Sequence, residues 1–250
     1  MRVIAYVDGL NLYHGLREKL GRGHLWLDIE RLVRSLLLPG QRFERVEYFT
    51  ARVRNQPHSI HRQADYLTAL TNSCPSLSII EGRFQERTDM CRSCGTRRVA
   101  YEEKETDVNI AAAIIRDAVR HAYDMALVVS ADADLMPAIR TARALGGPRR
   151  FVVAFPPRRR SDALRSAADA AFTIGDARIR AAQLPDKIAL PNGVVIQRPA
   201  YWRRPRAAPS GLRSAGSAGS AGSAATGATR EDGASGARGP SERRRGPEAQ

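Results

Sequence analysis

The sequence predicts an α/β fold whose mostly parallel sheet is covered by helices on both faces. Two observations carry this. Short apolar, β-prone runs alternate with runs of helical spacing over the first 175 residues. Two of the apolar runs, at 3–7 and 125–129, stop at acidic residues and are followed by helix-forming sequence.

The elements follow in order. Residues 3–7 form a strand that ends at Asp8, and the spacing predicts helices over 10–20 and 28–37. RVEYFTARV, residues 45–53, is rich in aromatic and β-branched residues and reads as a strand. Residues 58–71 carry Ile60, Ala64, Leu67 and Leu70 on one helical stripe. A strand at 77–80 leads into a cysteine-containing hairpin over 83–101. TDVNIAAAIIRDAV, residues 106–119, has strong helical character. The remainder reads as strand 125–129, helix 134–145, strand 151–155, helix 163–170 and a short strand at 171–174. No solenoid-length repeat is visible.

The chain has 250 residues, 43% apolar and 26% charged, close to a soluble globular average. No run of 18 apolar residues occurs, so no membrane-spanning helix is expected. The first apolar stretch is interrupted by Asp8, unlike a secretory signal. Three cysteines cannot all pair and are too few for a disulfide scaffold, which points to a reducing cytoplasm.

Beyond Trp202 there is no aromatic residue, and Ser-Ala-Gly repeats three times over 214–222. Such sequence has too little apolar side chain to offset the entropy of ordering, so 203–250 reads as a disordered tail and 1–202 as the folded domain. The formal charge is +14. The tail holds nine arginines and four acids, leaving the body itself at +9. A basic body suits a polyanionic partner, although 37 of the 40 basic residues are arginine, a bias that base composition alone would also produce.

Open α/β sheets place ligands beyond the carboxyl ends of their strands, where strand order reverses. One strand end reads Asp8-Gly9-Leu10-Asn11, and another Ser130-Ala131-Asp132-Ala133-Asp134. A helix over 104–119 adds a third acidic group, with Glu103 and Asp107 four apart and able to share a face. Two carboxylates about 4 Å apart repel by roughly 4 kcal/mol at an effective dielectric of 20. A cation between them relieves that cost, as does a proton on one of them. Oxygen donors without His or Cys suit Mg²⁺ or Mn²⁺. Taken singly, each acid is also explained as a helix cap or a first-turn residue.

Taken together, VDGLNLY, EKETDVNIA and SADADLMPAI resemble the three signature segments of the NYN family, the LabA-like branch of the PIN-domain nucleases; IQRPAYW resembles the family's domain end. The resemblance implies a PIN-like Rossmannoid three-layer fold and metal-dependent cleavage of RNA that leaves a 5′-phosphate and a 3′-hydroxyl. It puts Asp8 on the first-strand acid, Asp107 on the acid of the E-K-x-x-D segment opened by Glu103, and Asp132 and Asp134 on the S-x-D-x-D acids. Asn11 falls on the Asn after the first acid. Ala131 stands where the family often has Gly. On this reading Asp8, Asp107 and Asp132 bind one or two Mg²⁺ or Mn²⁺ ions. Asp134 completes the shell or orients the attacking water, Asn11 hydrogen-bonds a ligand or the phosphate, and Ser130 holds the acidic loop. The alternative is a non-catalytic RNA-binding or regulatory scaffold module of the same fold.

Arg158, Arg159 and Arg160 follow the strand at 151–155 and two prolines, which places them on the acidic side of the sheet as phosphate-binding candidates. Arg52, Arg54, His58, His61 and Arg62 surround another strand end, and Tyr13 and His14 could stack a base. Cys91 and Cys94 form one C-x-x-C knuckle, half of a structural zinc site. Cys74 and His121 are possible further ligands, and a zinc shared across a homodimer is another. A haloacid-dehalogenase reading fails because Leu10 stands where a second acid is required. No dinucleotide fingerprint, P-loop or nucleophile elbow is present.

Overall fold

The computed structural model describes residues 1–54, 56–90, 94–147 and 149–203. Residues 204–250 of the predicted tail, and Cys91, lie outside them. In chain order the elements are β1 (Arg2–Asp8), α1 (Gly9–Leu20), α2 (Ile29–Leu36), β2 (Arg42–Ala51), α3 (Pro57–Ser73), β3 (Leu77–Met90) and β4 (Arg97–Lys104). They continue with α4 (Thr106–Val119), β5 (Met125–Val129), α5 (Met136–Ala144), β6 (Arg150–Phe155), α6 (Asp162–Ala167), β7 (Ala170–Thr173), α7 (Asp176–Ala181), β8 (Lys187–Ala189) and β9 (Val195–Gln197).

The central sheet runs β4-β3-β2-β1-β5-β6-β7. Six strands are parallel, and only the edge strand β4 is antiparallel, paired with β3 as a hairpin. The predicted α/β class with a mostly parallel sheet is what the chain adopts. β1 sits between β2 and β5, so its residues are buried on both faces and can be apolar throughout. Successive side chains point to opposite sides. Val3, Ala5 and Val7 join the core beneath α1, α2 and α3, while Ile4 and Tyr6 join the core beneath α4, α5 and α6.

Several expected boundaries shift. The predicted helix over 134–145 opens as a 3-10 turn at Ala133–Leu135 before becoming α5, because Asp132 caps that turn through its side chain. The α3 stripe is displaced: Leu67 and Leu70 are buried as expected, but Ile60 is 39% exposed and Tyr66 and Ala69 complete the buried face. The helix expected over 104–119 starts only at Thr106, and Glu103 lies on β4 opposite Phe84. Glu105 takes a left-handed φ of 79°, which breaks the strand and prevents Glu103 and Asp107 from sharing a helical face.

Residues 176–202 received no elements from the sequence, yet they complete one core. α7 buries Ile179, the β8–β9 pair contributes Ile188 and Ile196, and Trp202 packs against Trp26 and Tyr66. Among the described residues no helix is long and apolar enough to cross a membrane.

Candidate active site

Strand order runs outward from β1 on one side to β2 and β3, and on the other to β5, β6 and β7. The carboxyl ends of β1 and β5 therefore flank the point where the winding reverses, the usual ligand position in such sheets. Asp8 ends β1 and Ser130 follows β5.

A continuous hydrogen-bond network joins the two loops. Asp8 is 5% exposed and caps α1: its Oδ1 accepts from the Asn11 backbone N–H at 2.9 Å. Its Oδ2 accepts from the fully buried Ser130 hydroxyl at 2.9 Å. Ser130 Oγ in turn accepts from Asp132 N–H at 3.0 Å, and Asn11 Oδ1 from Ala131 N–H at 3.3 Å. Asp132 Oδ1 accepts from Asp134 N–H at 2.9 Å. Asp8, Asn11, Ser130 and Asp132 are thus joined in one hydrogen-bonded unit.

Asp107 reaches this edge on the first turn of α4, which packs against β1, β2, β3 and the 133–135 turn. Its approach needs Gly82. A Cβ there would stand 2.7 Å from Lys104 O and 2.8 Å from Thr106 Oγ1. Asp134 is joined through its backbone, and its side chain is exposed. The four acids share one edge but do not close into a tight cluster: among the described residues no three His, Cys, Asp or Glu side chains are gathered to hold an ion unaided. Both Asp8 and Asp132 are turned to cap their own helical turns, which spaces their charges.

The donor chemistry still fits a hard cation. Every side chain in the linked unit offers oxygen, and an ionised carboxylate is an acceptor-only group with about four lone-pair sites. Mg²⁺ typically takes one or two carboxylates and completes its shell with water and phosphate oxygens.

The arginines divide. Arg159 is engaged by Glu18, and its loop packs on α1 at Gly15. Arg52 is paired with Glu81 at 2.6 Å, and Arg160 with Asp162 at 3.1 Å. Arg158 is exposed and has no acidic partner among the described residues. Tyr13 and His14 meet edge-to-face at 5.4 Å, and burial followed by the Arg159 charge lowers the His14 pKa. Cys74 is buried, its thiol 3.4 Å from Asp28 Oδ1, and burial pushes its pKa up to about 12, away from ligating thiolate chemistry. Cys94 is exposed beside Thr96, and its partner in the knuckle, Cys91, lies outside the described residues.

One site residue escaped the sequence reading. Tyr48 pairs with Val7 across the β1–β2 register, and its ring end lies against Gly9. A Cβ on Gly9 would stand 2.6 Å from both the Tyr48 hydroxyl and Phe49 O. Burial, then the Asp8 charge, raises the Tyr48 pKa, so the phenol stays protonated beside the carboxylate. We predict that Gly9→Ala lowers stability by about 1–3 kcal/mol through overpacking, read as a reduced urea midpoint. An unchanged midpoint would mean β2 yields freely there.

Residues 2–175 match the NYN domain model. The chain belongs to the NYN domain family. Among curated proteins this NYN chain is similar to 6-hydroxy-3-succinoylpyridine 3-monooxygenase HspA of Pseudomonas putida, with 30% identity over 179 residues covering 58% of this chain. The match spans 56% of that relative's length. Among solved structures it resembles a Vibrio parahaemolyticus protein of unknown function, with a TM-score of 0.48 and 18% identity, covering 70% of this chain and 93% of the other.

Proposed function

We propose that this NYN domain, residues 1–202, is a ribonuclease of the LabA-like branch that hydrolyses RNA phosphodiester bonds with Mg²⁺ or Mn²⁺ at the carboxyl edge of its sheet. The observation that carries the reading is the hydrogen-bonded unit of Asp8, Asn11, Ser130 and Asp132 across the sheet's reversal point. A buried aspartate beside a second acidic loop is poorly suited to simple phosphate binding, since it would repel the backbone. When bound, the metal neutralises the phosphate and supports attack by water.

Asp8 and Asp132 would hold the ion, with Asp107 and Asp134 as the further acids of the site. Ser130 keeps the Asp8 carboxylate oriented, and Asn11 fixes the spacing between the two loops. Arg158 attracts the phosphate chain from solvent. The relative's name describes a monooxygenase, whereas the acids of this chain suit a hard cation and phosphodiester hydrolysis.

The test is incubation of the purified protein with unstructured RNA, structured RNA and single-stranded DNA, each with Mg²⁺, Mn²⁺ or chelator. Metal-dependent loss of RNA is expected, with binding that weakens steeply as salt rises. RNA binding without cleavage in any metal would instead mark a non-catalytic module.

A further inference from the structure

A cavity of about 260 Å³ opens beside the acidic unit, between α1, α3 and the end of β2, and Gly9 forms part of its wall. Its floor is aromatic. Tyr48 and Tyr66 meet edge-on at 6.5 Å, and Tyr66 meets Trp202 edge-on at 5.7 Å. Leu12 and Leu67 supply aliphatic wall. Such a surface favours a flat ring over a flexible or branched group.

Two polar groups interrupt the apolar lining. Tyr48 is only 6% exposed, and among the described residues its hydroxyl has no hydrogen-bond partner. Its neighbours are satisfied: the Tyr66 hydroxyl donates to Leu27 O at 2.8 Å, and the Gln63 amide bridges Val53 N and Ala51 O. The hydroxyl oxygen is not sealed from solvent but opens on the cavity, where a ligand's polar group can take the place of water. Arg62 stands at the mouth. It donates to Ser59 Oγ at 2.8 Å and stacks on Tyr201 at 4.4 Å, and it has no acidic partner among the described residues. Arg22 stacks on the same Tyr201 ring at 3.9 Å, and of these two guanidinium groups Arg62 is the one that lines the cavity.

We propose that this cavity binds a planar aromatic molecule carrying one anionic group, with the ring against Tyr48, Tyr66 and Trp202, a polar ring substituent at the Tyr48 hydroxyl and the anion at Arg62. Two sources offer that chemistry: a nucleobase with its phosphate, or a free aromatic carboxylate. The proposal does not depend on whether the acids cut RNA.

Calorimetric titration of the full chain separates these cases. The probes are 4-hydroxybenzoate, uridine 5′-monophosphate, and phenol as the ring without an anion. At least one anionic probe binds, and phenol binds about tenfold more weakly. Tyr48→Phe weakens the anionic probe about fivefold. Because the hydroxyl has no protein partner, this variant keeps the wild-type melting temperature. Arg62→Gln weakens the anionic probe about tenfold and leaves phenol unchanged. Tighter binding of the nucleotide assigns a base subsite, and tighter binding of hydroxybenzoate assigns a free aromatic acid. No binding of either anionic probe up to about 10 mM overturns the proposal, as does binding that both variants leave intact.

Discussion

Asp8→Asn is expected to lower RNA cleavage by at least about a hundredfold, the scale on which metal sites respond even to loss of supporting groups, while the protein stays folded. The two outcomes separate because Asp8 has two jobs. As the cap of α1 it accepts from Asn11 N–H, and an asparagine carbonyl does this nearly as well. Its second oxygen receives the Ser130 hydroxyl. In the variant, the amide can donate to Ser130 Oγ, which still accepts from Asp132 N–H, while the Ser130 O–H gives up its carboxylate acceptor. The folding cost is therefore about 1 kcal/mol. What asparagine cannot supply is the negative charge. Thermal melting beside cleavage by the same preparation checks this. Lost activity with a much lower melting temperature would mean that Asp8 is structural only.

The largest expected effect on stability lies at the opposite edge of the sheet. Asp117 on α4 is 1% exposed. Tyr6 OH donates to it at 2.8 Å, Arg45 at 2.5 Å and Arg116 at 2.9 and 3.1 Å, and both arginines also reach Glu47. Burial pushes the Asp117 pKa up, but the hydrogen bonds from Arg116 and Tyr6 and the Arg45 charge outweigh it and leave the carboxyl below its ordinary value. Asp117→Ala strands the buried Tyr6 hydroxyl and leaves Arg45 and Arg116 with Glu47 as their shared acidic partner. The side chains of Arg45 and Arg116 are 34% and 41% exposed, so water relieves part of the penalty. The expected loss is about 3 kcal/mol, the lower end for a broken buried pair, or a melting temperature reduced by roughly 10 °C. A depressed folded pKa also means that the charged form is the stabilised one. Its contribution is complete above the unfolded value of about 3.9 and is lost as pH falls through the folded value. Wild type should therefore lose stability on acidification more steeply than Asp117→Ala. Parallel acid-unfolding curves would refute the assignment.

The parts of this molecule legible in its sequence are those whose cause is local. The strand over 125–129 matches β5 residue for residue, and TDVNIAAAIIRDAV forms α4, although the helix does not extend back to 104; periodicity and β-branched content decide both. Asp8 and Ser130 were placed at strand ends because apolar runs stop there, and parallel pairing brings them together. Tyr48 was not legible as a site residue: only the register of β2 against β1 sets its ring on Gly9. Glu103 was misplaced because a left-handed Glu105, which helical spacing does not announce, separates strand from helix. The segment after 175 was missed because α7, β8 and β9 span only six, three and three residues. Elements that short are held by packing on Trp26 and its neighbours, not by propensity. The spacing of the carboxylates is not legible in the sequence, because it is set by capping that turns Asp8 and Asp132 onto their own backbone.

The most direct measurement of the central claim is end-group analysis of a 5′-labelled single-stranded RNA incubated with wild-type protein and Mn²⁺, with and without chelator, beside Asp8→Asn. The account predicts fragments with 5′-phosphate and 3′-hydroxyl ends that vanish with chelator and with the variant. Fragments ending in a 2′,3′-cyclic phosphate, or cleavage that survives both chelator and Asp8→Asn, would contradict it.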